Sequence, residues 1–197
     1  MAKKKIIKKV SKKKKKRKGI KIKNEIKIDQ ILLHSRQVFL SGIIDEESAH
    51  KIAKRLIGLD VYCPKTPIVL WINSRGGSVY DGFSIIDCMN GLSSPVVTIV
   101  NGEACSMAGI ISIFGAKRYI TKNAVWMAHD MGAGCNDYVT KVKYRIENAE
   151  KLQSKVMQMF RDKTKLTETD LEQSRHGELW LDAEECKKKG IVDQIIT

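Results

Sequence analysis

From Val38 onward, short apolar runs alternate with stretches of helical periodicity, and the alternation repeats. Val38 to Ile44 reads as a strand, and Asp45 then caps a helix with Ala49, Ile52, Ala53, Leu56 and Ile57 on one face. Ile68-Val69-Leu70-Trp71-Ile72 is a continuous apolar run, the pattern of a strand buried on both faces. The turn Asn73-Ser74-Arg75-Gly76-Gly77-Ser78 leads into a helix presenting Val79, Phe83, Ile86 and Met89 to a core. The unit recurs as a strand from Val96 to Val100, a turn from Asn101 to Cys105 and a short apolar helix opened by Ser106. Two further strands are predicted, Arg118 to Thr121 and Ala124 to Ala128. A glycine-bearing loop, Met131-Gly132-Ala133-Gly134, precedes the longest helix, about residues 137–162. Its stripe is Val139, Val142, Ile146, Ala149, Leu152, Val156 and Phe160. Asp182-Ala183-Glu184-Glu185 is a capping box for a last helix; Gly190 stops it, and Ile191 to Ile196 reads as a closing strand. Repeated strand–turn–helix units imply a layered α/β fold with right-handed crossovers.

Composition narrows the class. A chain of 197 residues with 43% apolar content is one globular domain with a full core. No apolar run reaches the roughly 18 residues of a spanning helix, so no transmembrane segment is expected. The net charge of +14 is confined to one end: residues 1–23 carry 14 of the 36 basic residues and no acid, leaving 22 basic against 22 acidic residues. The body is therefore neutral, and residues 1–30 form a Lys-rich arm too poor in apolar residues to fold alone, ahead of a domain at 31–197. Such an arm is a solvated tail, or a contact for nucleic acid or an anionic surface, or an address. The five cysteines are odd in number, without a C-x-x-C pair, and no secretory signal pattern follows the lysines. Free thiols in a reducing, cytoplasmic interior are expected, and no zinc site.

Two glycine-bearing turns each join an apolar strand to a helix, at the strand ends where sites form in such folds. Gly76-Gly77 lacks the lysine of a phosphate loop and the spacing of a dinucleotide fingerprint. Ser106 stands at a helix start among small neighbours, Ala104, Ala108 and Gly109, and reads either as an N-cap or as a nucleophile. His129 closes an apolar strand, either as a strand-end polar group or as a general base for a serine hydroxyl. His34, His50 and His176 offer no zinc spacing. An imidazole base needs a carboxylate to orient it, and Glu172, Glu178, Asp182, Glu184, Glu185 and Asp193 are all available. Only Glu178 lies beside apolar residues outside a helix cap, which does not by itself select it.

Asn73-Ser74-Arg75-Gly76-Gly77-Ser78, Gly102-Glu103-Ala104-Cys105-Ser106-Met107-Ala108-Gly109 and Trp126-Met127-Ala128-His129 occur in that order. With Arg36 to Gly42 at the start, and Trp180 to Glu185 then Gly190 to Asp193 at the end, they resemble the Clp protease proteolytic subunit (ClpP) family over about residues 31–197. The resemblance implies a ClpP/crotonase-like layered fold with a protruding long handle helix, and a self-compartmentalised serine endopeptidase acting on unfolded polypeptides. It implies Ser106 as nucleophile, His129 as general base and Glu178 at the position of the triad aspartate. The implied oxyanion donors are the backbone N–H groups of Gly76 and Met107, with Gly77, Gly132, Ala133 and Gly134 along the substrate strand. It further implies a homo-oligomer of two stacked heptameric rings and an AAA+ unfoldase partner that uses the ATP, with no cofactor in this subunit. Three positions depart from the family pattern: Glu178 for aspartate, Asp130-Met131 for glutamine–proline, and Arg75 for proline. The rival readings are a catalytically weak structural ring subunit and an acyl-CoA enzyme of the same fold.

Overall fold

The computed structural model describes residues 31, 32, 34–132, 134 and 137–197. The expectations for the arm and for Ala133 lie outside the described residues.

The chain opens with β1 (Gln37–Ile44), and Asp45 ends it by capping α1 (Glu46–Tyr62) through a reciprocal capping box with Ser48. The buried face of α1 is Ala49, Ile52, Leu56 and Leu59, spaced three, four and three residues apart as a helical stripe requires. Ile57, expected on that face, is turned by one residue to the surface and is half exposed. Next come β2 (Ile68–Gly77), α2 (Val79–Gly91), β3 (Val96–Cys105) and the short α3 (Met107–Ser112). In β2, Ile68, Leu70 and Ile72 are fully buried while Val69 and Trp71 are half-buried, so its two faces are not equally covered as expected. Both strands also run further than expected, through the glycine-bearing segments read as turns. They do so with register shifts: Glu103 N–H donates to Asn73 Oδ1 at 3.2 Å, and Gly102, at φ +104°, lets that side chain come close.

Then follow β4 (Lys117–Thr121), β5 (Val125–His129), α4 (Val139–Lys163), α5 (Glu168–His176), β6 (Glu178–Leu181), α6 (Ala183–Lys188) and β7 (Gln194–Ile196). The closing strand is shorter than expected, because Ile191 and Val192 are buried in the turn beyond Gly190, which sits at φ +67°. β1, β2, β3, β4 and β7 lie side by side in that order, all parallel. The strand β3 then changes partner: Val97–Val100 pair with β4, whereas Glu103–Cys105 pair in parallel with β5. β6 adds to β5 in the antiparallel sense. The exit of β3 is thereby held between β2 and β5, and this split places the site.

Trp126 of β5 is fully buried, donates its indole N–H to Gly109 O at 3.2 Å and meets Phe160 of α4 edge-on at 5.7 Å between ring centres. Burying a side chain of this kind contributes roughly 1.5–3 kcal/mol, and here it fixes β5 against both α3 and the C-terminal half of α4. That half carries the buried Val156, Met157 and Phe160, whereas Val139, Tyr144 and Ile146 in the N-terminal half are exposed.

Candidate active site

Ser106 follows β3 directly and precedes α3. Its backbone takes φ 55° and ψ −126°, a conformation that costs a non-glycine residue about 1–3 kcal/mol. It occupies the N-cap position, but its side chain makes no capping bond to the helix. Ser106 N–H donates to Met127 O at 2.8 Å, which ties the serine to β5 two residues before His129. Gly76, at φ +94°, packs under this elbow. A Cβ there would stand 2.7 Å from Cys105 O, 2.8 Å from Ser106 Cβ and 2.9 Å from Met107 N, so only glycine lets β2 and the elbow approach.

Ser106 and His129 are both half-buried and line one cavity of about 310 Å³, with Gly77, Met107, Val156 and Phe160 among its walls. Gly132 borders the same cavity, and Gly134 is exposed further along the loop. Glu178 stands directly opposite His129 in the antiparallel β5–β6 pair. Its carboxylate here accepts from the indole N–H of Trp180 at 2.7 Å. Four of the other acidic candidates are engaged elsewhere, Asp182 and Glu185 in the α6 capping box, Asp193 on Arg118, Glu172 on Arg175 and His176, and Glu184 is exposed in the first turn of α6. Thus Ser106, His129 and Glu178 are brought to one corner of the sheet by β3, β5 and β6.

The backbone donors divide differently from expectation. Gly76 N–H donates to Ser74 Oγ at 3.1 Å, and that hydroxyl is in turn bonded to Gly42 O, so Gly76 N–H faces β1. Ser78 N–H also faces β1, donating to Ile44 O at 2.8 Å. Gly77, between them, lines the cavity. Met107 N–H is the first of α3 and has no carbonyl a turn earlier to receive it.

The neighbouring Cys105 is no competing nucleophile: burial, reinforced by the Glu103 carboxylate, pushes its thiol up to about 11. Asp130 and Met131 replace a residue pair in which proline would have no N–H. Here Met131 N–H is used, donating to Asp130 Oδ1 at 3.0 Å and to Gln153 Oε1 of α4 at 3.3 Å. Arg75 stays at the exposed rim of the cavity, paired with Glu103 at 3.1 Å. The residues that sequence reasoning missed are Ser74, which occupies Gly76 N–H, and Trp180, which holds Glu178.

A strained serine on a strand-to-helix elbow, sharing a cavity with a histidine at the carboxyl end of a parallel sheet, is an arrangement that suits serine hydrolase chemistry. The chain matches the family model described as Clp protease over residues 20–197. It is 34% identical to the ATP-dependent Clp protease proteolytic subunit of Streptococcus suis over 169 residues, 84% of this chain and 86% of that one. It is 32% identical to the ATP-dependent Clp protease proteolytic subunit 1 of Chlamydia muridarum over 173 residues, 86% and 90% of the two chains. The chain belongs to the Clp protease family and is a Clp-type serine endopeptidase. Among the described residues no helix is long and apolar enough to cross a membrane.

Proposed function

We propose that this chain hydrolyses peptide bonds of unfolded polypeptides with Ser106 as nucleophile, His129 as general base and Glu178 as the carboxylate that orients the imidazole. The observation that carries the reading is the strained Ser106 backbone, with the hydroxyl uncommitted to its helix and in one cavity with His129. His129 takes the hydroxyl proton as Oγ attacks the carbonyl carbon, then returns it to the departing amine. Water, deprotonated by the same imidazole, attacks the acyl ester and releases the second product and Ser106. The N–H groups of Met107 and Gly77 stabilise the developing oxyanion; Gly77 replaces Gly76 in this role because Gly76 N–H is held by Ser74. The peptide backbone passes beside Gly77 and Gly132. These steps draw on no metal or organic cofactor in this subunit.

The working particle in this reading is a homo-oligomer of two stacked heptameric rings, fed by an AAA+ unfoldase that hydrolyses the ATP. Relatives named as ATP-dependent proteolytic subunits support it, as do the exposed side chains of Val139, Tyr144 and Ile146 in the N-terminal half of α4. A reducing, cytoplasmic setting fits the thiols of Cys63, Cys88, Cys105 and Cys186, which are all free. The test is turnover of a short fluorogenic peptide by the full chain, with particle mass read by size exclusion. Wild type is expected to be a large active particle, and Ile146→Asp a smaller one with at least about 100-fold lower turnover. Full turnover from a species of monomer mass would overturn the ring reading.

A further inference from the structure

We infer that Trp180 is a positioning residue for the orienting carboxylate: its indole N–H clamps Glu178 so that one oxygen stays turned to His129. The inference rests on the Ser106–His129–Glu178 reading above.

Glu178 and Trp180 are two residues apart on β6 and share its exposed face, while Leu179 and Leu181 bury the other. Glu178 is opposite His129 and Trp180 opposite Met127, so Trp180 stands on the same face as the imidazole, one alternation further along. Directly opposed residues in such a pair hold their Cβ atoms about 4.5–5.5 Å apart. A glutamate at that separation has one rotatable bond more than an aspartate, and only some of its carboxylate orientations meet the imidazole. Trp180 Nε1 donates to Glu178 Oε2 at 2.7 Å, a short hydrogen bond to a charged acceptor. With Oε2 held, Oε1 is the acceptor left for the imidazole N–H. The indole is a donor only, and Trp180 is 49% exposed, so its ring is not a core element whose loss would empty a cavity. The extra methylene of Glu178 and the indole two residues on thus compensate one another.

The experiment is a double-mutant cycle on the full chain, Trp180→Phe and Glu178→Ala singly and together, measuring kcat and KM on a short fluorogenic peptide. Trp180→Phe is expected to lower kcat about tenfold, as for loss of one hydrogen bond to a charged group, with KM unchanged. In the Glu178→Ala background the same substitution should have no further effect. A Glu178→Asp background gives a second check, because the shorter carboxylate falls short of the indole and Trp180→Phe should again be silent. Unchanged kcat in Trp180→Phe, a change confined to KM, or an equal loss in the Glu178→Ala background would overturn the inference while leaving the triad standing. Unchanged kcat in Glu178→Ala would overturn the role of Glu178 itself, and that of Trp180 with it.

Discussion

Ser78 and Ser106 occupy the same place in two successive strand-to-helix junctions, yet they use their hydroxyls differently. At the end of β2, Ser78 has φ −59° and ψ 127°, and its side chain accepts from Asp81 N–H at 3.4 Å as an ordinary N-cap. At the end of β3, Ser106 has φ 55° and ψ −126° and gives its helix no side-chain bond. One junction is relaxed and its hydroxyl caps the helix; the other is strained and its hydroxyl gives the helix no bond. The strain persists because its surroundings over-determine it: Met127 O holds Ser106 N–H, Gly76 fits beneath, and Trp126 braces α3 through Gly109.

The comparison breaks first under substitution of the two serines. Ser106→Ala should abolish peptide turnover, by at least about 1000-fold, with the melting temperature nearly unchanged because no cap is lost. Ser78→Ala should leave turnover within about twofold and lower stability by about 0.5 kcal/mol, the low end for a cap with so long a bond. Turnover and thermal melts of both variants check this; equal activity loss in the two would erase the distinction. Next in size is Gly76→Ala, whose new Cβ meets three atoms of the elbow at 2.7–2.9 Å. It should lower kcat about 100-fold by displacing Ser106, an effect visible in steady-state kinetics on protein shown to be folded. Smaller again, Ser106→Gly should be more stable than Ser106→Ala by about 1 kcal/mol, since glycine adopts the elbow conformation without strain. Denaturant melts decide that.

The smallest effect concerns a cap that titrates. The hydrogen bond from the Ser48 N–H holds the Asp45 carboxyl below its ordinary value. Its folded value is depressed, so its stabilisation is fully present above the unfolded value of about 3.9 and fades as pH falls through the folded one. Asp45→Asn, which can still cap, should therefore differ from wild type near pH 7 and converge with it at the acid end. The Ser78→Ala difference should be flat with pH over the same melts.

Much of the fold was legible because its parallel strands and amphipathic helices carry strong periodicity, as in Ile68–Ile72 and the α2 face of Phe83, Ile86 and Met89. The family resemblance rested on motifs at the strand ends, and the match to the Clp protease model agrees with it. Short or polar elements were not legible. α5 buries little beyond Asp170, Leu171 and Ser174, although its Thr167–Asp170 capping box was a usable signal. β6 has only four residues, too few for alternation to stand out, so its placement of Glu178 opposite His129 came from tertiary pairing. The difference between Ser78 and Ser106 was invisible for a deeper reason. Both read as serine before a helix, and backbone strain is imposed by neighbours remote in sequence. That Gly76 N–H meets Ser74 Oγ was not legible either, because a pattern gives residue identity but not which edge of the strand its N–H faces.

The most direct measurement is covalent labelling of the full chain with a fluorophosphonate, followed by peptide mapping by mass spectrometry. Ser106, which gives its helix no capping bond and shares a cavity with His129, should carry a single adduct, with Ser74 and Ser78 unmodified and the adduct lost in His129→Ala. No adduct on an assembled particle that still hydrolyses peptide, or an adduct on Ser78 in place of Ser106, would contradict the account.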